Sequence, residues 1–401
     1  MKAIKNPVKN DAVHPARLQI VKMKKTGIIT ILNVNNYGAE LQAFALHHKL
    51  KLMGYDNEII NYLYYKNPNY KSEQLSKPLI KTSFKNSLKD LVLKWLDKYS
   101  AFKYPEIARK RKQRFDDFHK KHTALSPVYK SYSDLYNAKL EYDNYIVGSD
   151  QVWNPNNGTN MAPYFLTFAP ESANKISYAS SFGVGHVNET YHPQYKEWLN
   201  NLNHTSTRES DGVKIIKSIS DKDATHVVDP TLLLSKNEWG ELLVPYKTEE
   251  PYILFFIFKK NKYAEELAYK IQKRTGYKII RVCKNEMPLE PDDKILNIRD
   301  FGPLEFLGLY SGASVVLTTS FHGSIFSLIF EKPFYTITPA SKNNNSRQES
   351  LMTVVDLKER LLREGDEVNL DKLNDINFEE VKRKLDKQIG ISTEFLKNSL
   401  K

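Results

Sequence analysis

Cysteine is almost absent: Cys283 is the only one in 401 residues. That excludes an internal disulfide framework, leaves no zinc-type ligand spacing to draw, and suits a reducing cytoplasm. Long apolar runs are missing as well. No stretch approaches the roughly 18 residues of a membrane span. The first 22 residues also lack the apolar core of a signal peptide, so neither a span nor export is expected. Glycine is scarce where a dinucleotide would need it. The turn Asn35-Asn36-Tyr37-Gly38, which follows the first apolar strand, carries one glycine instead of the three of the dinucleotide fingerprint, and this disfavours a nicotinamide cofactor.

What is present is ordinary globular material, 41% hydrophobic, with a surplus of positive charge. A chain of this length suits two α/β domains of about 180 residues, since single cores seldom exceed roughly 250. The net charge of +12 and pI near 9.2 imply an acidic partner. Much of the excess lies in residues 66–130, where basic residues alternate with apolar ones at helical spacing in Leu88 to Trp95 and Ile107 to Phe118. Solvated amphipathic helices account for that pattern, and peripheral contact with an anionic membrane face is the competing account. Nucleic acid is not expected, because no interleaved aromatic platform accompanies the charge.

Along the chain, β-branched apolar runs alternate with helical patterns. Lys25 to Leu32, a helix over Ala39 to Met53 and Asp56 to Tyr62 form an opening βαβ unit, and the sheet resumes at Tyr142 to Val147 and Lys175 to Ala179. A link is expected over Lys236 to Thr248. A second unit begins at Tyr252 to Phe258 (YILFFIF) and continues through Ser314 to Thr319. The expected boundaries are a tail over 1–23, a domain over 24–235 with a basic helical insertion at about 66–130, a domain over 250–385, and a helical tail over 386–401.

Turns at strand ends carry the chemistry, because open α/β sheets bind ligands at their carboxyl edges. Ser320-Phe321-His322-Gly323 reads as a turn before a helix over Ser324 to Phe330, so His322 sits beside N–H groups able to hold an anion. Its structural alternative is a capping Ser320 with His322 as an ordinary turn residue. Gly148 to Pro155 places Ser149, Asp150, Gln151 and Trp153 at another strand end, and local capping and packing are the alternative there. Arg208 in TSTRESD is suited to grip a carboxylate or phosphate, or else to pair with Glu209 or another neighbour.

Taken in order, GIITILNVNNYGAELQAFALHHKLKLMG, YDNYIVGSDQVWNP, STRESD, VVDPTLLL and GPLEFLGLYSGASVVLTTSFHGSIFSLIF resemble the polysaccharide pyruvyltransferase family over residues 24–365. The resemblance implies two Rossmann-like domains in a GT-B-like arrangement, with a cleft between an N-terminal acceptor side and a C-terminal donor side. It implies phosphoenolpyruvate as co-substrate, with no further cofactor and no metal, and transfer of its enolpyruvyl group onto two hydroxyls of a glycan or lipid-linked oligosaccharide. The product is a pyruvate ketal, and phosphate is released. His322 and Arg208 match the family's donor-handling histidine and arginine. Ser320 stands where some relatives carry arginine, so Lys259, Lys260 or Arg347 is expected to replace that contact. On this basis His322 is the expected acid and Asp150 the base. Arg208, Ser320, Gly323, Ser324, Lys259 and Arg347 are expected to bind the donor, and Asn36, Tyr37, Ser149, Gln151 and Trp153 the acceptor. A nucleotide-sugar glycosyltransferase of the same fold, and a non-catalytic assembly protein on the membrane face, are the alternatives.

Overall fold

The computed structural model of the protein describes residues 24–73, 99–157, 160–283, 293–340 and 345–400. The expected tail at 1–23 and the helix at Leu88 to Trp95 lie outside the described residues. The first unit runs β1 (Lys25–Ile29), α1 (Tyr37–Leu52), β2 (Asp56–Ile59), α2 (Pro105–His122), β3 (Asn144–Val147), β4 (Asn174–Ser177), β5 (Ser206–Thr207), α3 (Ser210–Ser220) and β6 (Thr225–His226). Its sheet is parallel with order β2-β1-β3-β4, and single bridges from Ile176 to His204 and from Ser180 to Thr207 lead on to the β5-β6 pair.

The second unit runs β7 (Tyr252–Phe256), α4 (Lys262–Thr275), β8 (Lys278–Val282), β9 (Ile295–Ile298), α5 (Pro303–Gly312), β10 (Val315–Thr318), α6 (Phe321–Ile329), β11 (Phe334–Thr338), α7 (Ser346–Val355), β12 (Leu361–Arg363) and α8 (Phe378–Ser399). Its parallel sheet has order β12-β11-β10-β7-β8-β9. Every residue of β7 and β10 is buried, which is why their sequences read as unbroken apolar runs and not as alternation. This is an α/β fold of two Rossmann-like units in a GT-B-like arrangement, with the carboxyl edges of both sheets turned toward each other.

Three local expectations are corrected. Helix α6 begins at Phe321, not Ser324, because the Ser320 side chain caps it by accepting from the Gly323 N–H at 3.2 Å. The proposed link contains a short helix, Lys236–Leu242, whose fully buried Trp239 packs on Phe44 of the first unit and Phe326 of the second. Finally, α8 is no tail. It returns to the first unit, where Ser392 Oγ accepts from Val228 N at 2.9 Å, Gln388 donates to the His226 carbonyl at 2.7 Å, and Asn174 donates to the Ser399 carbonyl at 2.7 Å.

The basic helix α2 joins the units through its inner face. Phe118 packs on Phe44 of α1, while the buried Arg111 donates to Tyr37 Oη, to the Phe301 carbonyl at 3.3 Å and to the Asn35 carbonyl at 3.1 Å. Arg114 pairs with Asp300 at 3.2 Å and Glu305 at 3.1 Å. One position of the basic run is therefore structural, although its neighbours face solvent.

At the far end of the same face, His119 Nε2 lies 3.1 Å from Glu40 Oε2, and the buried Glu40 also receives the Val34 N–H at 2.9 Å, which anchors the turn leading to Asn36. Burial works against the imidazolium, but the Glu40 charge beside it prevails and raises the His119 pKa. A value raised in the folded state gives stabilisation that is complete below the unfolded value of about 6.5 and is lost as pH rises through the folded value. The melting-temperature advantage of wild type over His119→Gln should therefore be largest at mildly acid pH and shrink as pH rises. A pH-independent difference would assign His119 to packing alone.

Candidate functional site

Three strand ends and two helices meet between the sheets. Ser149 and Asp150 follow β3, Arg208 follows β5 and Asp229 follows β6, all in the first unit. The second unit contributes Phe321 and His322 from the first turn of α6, and Arg347 from α7. Helix α7 reaches the first unit because Ser350 Oγ accepts from Ser210 N at 3.2 Å and lies 3.3 Å from His226 Nε2.

Asp229 is the hub. It is fully buried, and its Oδ1 accepts from the Thr231 N–H at 3.0 Å and hydroxyl at 2.7 Å, as local capping of an Asp-Pro-Thr turn requires. Its Oδ2 accepts from Arg208 Nη1 at 2.7 Å and Ser149 Oγ at 3.1 Å, and lies 3.4 Å from His322 Nε2. Burial alone would raise this carboxyl, but His322 and Arg208 hold it well below the usual carboxylate range, so it is an anion at every working pH.

Arg208 is only partly satisfied by this pairing. Its Nε and Nη2 are buried without a hydrogen-bond partner, Asp150 Oδ1 lies 3.7 Å away, and its guanidinium sits over the Phe321 ring at 4.4 Å. Burial disfavours the charge, yet Asp229, Asp150 and Glu209 raise its pKa further. Arg347 lies 5.8 Å from the same ring and also has a buried Nε without a partner. Burial and then the Arg208 charge push its pKa down to about 10. Two guanidiniums held on one aromatic ring with donors to spare describe a site for an anion with more than one oxygen.

The helix ends add to this field. In α6 the Gly323 and Ser324 N–H groups are taken by Ser320 Oγ and Ser320 O, which leaves those of Phe321 and His322 without intrahelical acceptors. Helix α1 of the other unit ends against them, and Gly38 is obligatory there because a Cβ would overlap the His322 imidazole. Two positive helix termini thus converge on His322.

The structure sorts the expected residues. Asp150 is partly exposed with φ +72°, and Gln151 places its amide 2.8 Å and 3.0 Å from Arg347 Nη1 and Nη2, where its oxygen can accept both. Ser149 belongs to the Asp229 network, and Asn36 is half-buried with its Oδ1 taken by the Gly38 N–H at 3.1 Å. Others are not surfaces for a ligand. Trp153 is fully buried, stacks on Phe165 and donates to the Tyr164 carbonyl at 2.8 Å, so it is packing. Tyr37 stacks on Phe306 at 4.2 Å and donates to the Phe301 carbonyl, so it joins the units. Ser324 Oγ is occupied by the Ser320 carbonyl and Thr336 Oγ1, Ser320 Oγ by its cap, and Gly323 fits tightly against Thr318. Lys259 is exposed just beyond β7. The Arg208 partner is Asp229 instead of Glu209, whose Oε1 accepts from Ser181 Oγ at 2.7 Å and Gly183 N at 3.0 Å. Asp229 and Phe321 are the residues that sequence reading did not assign. The Asp-Pro-Thr turn at the end of an apolar pair was the available signal.

The sequence model of the family described as Polysaccharide pyruvyl transferase matches residues 36–341, a span that holds every residue of this site except Arg347. No curated protein sequence matches the chain. Among solved structures, the UDP-GlcNAc 2-epimerase of Methanocaldococcus jannaschii in complex with UDP-GlcNAc and UDP is 13% identical over 91% of this chain and 92% of its own, with a TM-score of 0.43. A protein of Arabidopsis thaliana complexed with UDP-L-rhamnose is 12% identical over 93% and 94%, with a TM-score of 0.46. The UDP-GlcNAc 2-epimerase of Neisseria meningitidis bound to UDP-GlcNAc is 9% identical over 92% and 94%, with a TM-score of 0.45.

Proposed function

Because the chain belongs to the polysaccharide pyruvyl transferase family, we propose that it transfers the enolpyruvyl group of phosphoenolpyruvate to two hydroxyls of a glycan or its lipid-linked precursor, forming a pyruvate ketal and releasing phosphate. The observation that carries this reading is the convergence of Arg208, Arg347 and two helix N-termini on the Asp229–His322 pair. Phosphoenolpyruvate carries a carboxylate and a phosphate close together, and that is the charge pattern such a site neutralises. Arg347 supplies the guanidinium that some relatives carry at the Ser320 position.

His322, with Nε2 turned to Asp229, hands a proton from Nδ1 to the donor's methylene carbon, which becomes a methyl group and leaves C2 electrophilic. One sugar hydroxyl oxygen bonds to C2 as Asp150 takes its proton. The C2–O bond to phosphate then breaks, the phosphate leaving with the proton held on Asp150, and the second hydroxyl adds at C2 to close the ketal as its proton returns to His322. Donor and diol become ketal and inorganic phosphate, with no oxidation or reduction. The single buried cysteine supports a reducing compartment, and we assign the reaction to the cytoplasm.

The test is differential stabilisation. Phosphoenolpyruvate at about 100 times its dissociation constant should stabilise the fold by about 2.7 kcal/mol, and uridine diphosphate should do far less. Glycan-dependent phosphate release should follow. Stabilisation by the nucleotide and not by phosphoenolpyruvate would replace this reading with the glycosyltransferase one.

A further inference from the structure

The outer side of the strap that joins the two units is built unlike the rest of the surface. Residues 99–104 lead into α2 and expose three aromatics: Phe102 is 85% accessible, Tyr99 49% and Tyr104 38%. A large apolar ring left almost wholly in water is unusual, and aromatic side chains of this kind favour the boundary between a bilayer and water. Basic side chains follow them along the chain: Lys103, Arg109, Lys110 and Lys112 face solvent, Arg109 pairing with Glu106 at 2.8 Å and Lys112 with Asp116, and Glu106 is the only acid in residues 99–112. Among the described residues no helix is long and apolar enough to cross a membrane, so this segment would lie on a bilayer and not span it.

We infer that residues 99–112 form the protein's docking surface for an anionic phospholipid bilayer, Phe102 entering the interface and Lys103, Arg109, Lys110 and Lys112 holding the headgroups. Charge complementarity selects this occupant, since the exposed aromatics sit within a positive field that a bilayer of anionic lipids answers and a neutral one does not. Geometry gives the docking a use. Directly behind Arg109 and Lys110, Arg111 donates to the Asn35 carbonyl and to Tyr37 Oη, in the turn that rims the site. A docked α2 therefore sets the mouth of the site beside the bilayer, where an acceptor carried on a lipid is presented.

The surface is independent of the donor reading, because vesicle binding and phosphoenolpyruvate binding can each fail alone. The full chain is sedimented with vesicles of phosphatidylcholine, with and without phosphatidylglycerol. Binding is expected only with phosphatidylglycerol, and it should weaken as salt is raised. Phe102→Ser should weaken it about tenfold, and Arg109→Gln with Lys110→Gln and Lys112→Gln by more, while turnover of a water-soluble acceptor stays unchanged. Equal binding to neutral vesicles, no binding to either, or anionic binding that survives both sets of changes overturns the assignment. So does retention of a nucleic-acid fragment in place of vesicles.

Discussion

Replacing His322 by alanine should lower kcat by about 10²- to 10⁴-fold with the fold intact, the loss expected when a general acid is removed. The imidazole is almost entirely enclosed, held on one side by Asp229 at 3.4 Å and on the other by the backbone of Gly38. Asp229 keeps its Arg208, Ser149 and Thr231 partners in this variant, so the fold should survive the loss of the imidazole. His322→Gln keeps a planar polar group in that slot and separates roles: it should retain donor binding but lose proton transfer. A glutamine enzyme with the wild-type rate would reduce His322 to a filler of the first turn of α6.

Arg208→Ala should be the more damaging change, because it acts on stability and catalysis together. It leaves Asp229 fully buried without its 2.7 Å partner, and breaking a buried pair by removing one member costs about 3 to 5 kcal/mol. On top of this, loss of the two unpartnered N–H donors should remove about 2 to 4 kcal/mol of transition-state stabilisation from donor turnover. Lysine should rescue little, since it lacks the planar fork that lies over Phe321 at 4.4 Å. Joining Arg208→Met to Asp229→Asn separates the two effects. The double variant no longer buries an unmatched charge and should regain much of the stability by thermal melting, while donor turnover stays low. A stable double variant with wild-type kcat/KM for phosphoenolpyruvate would make Arg208 a structural ion-pair partner and no more.

Much of the architecture was legible because parallel strands covered on both faces leave unbroken apolar runs, as in Tyr252 to Phe256 and Val315 to Thr318. The two-residue strands β5 and β6 and the edge strands β9 and β12 left no such mark, being too short or too mixed in composition. Residue type and strand-end position pointed to Arg208, Asp150 and His322, which the fold brings together around Asp229. The role of Asp229 was not legible, because its partners lie at positions 149, 208 and 322 and only the folded topology unites them. Trp153 and Tyr37 show the opposite failure. Position alone suggests a ligand surface, but an aromatic beside a turn is as easily drawn inward, and here the Phe165 and Phe306 rings were available to receive them.

The return of α8 to the first unit means that the chain crosses between the sheets twice, once before β7 and once between β12 and α8. A body attached at a single point can swivel, while one attached at two can only turn about the line through both, as a door turns on its pins. The chain path thus adds a second tie to the side-chain contacts that keep Phe321, His322 and Arg347 in register with Asp229, Arg208 and Gln151.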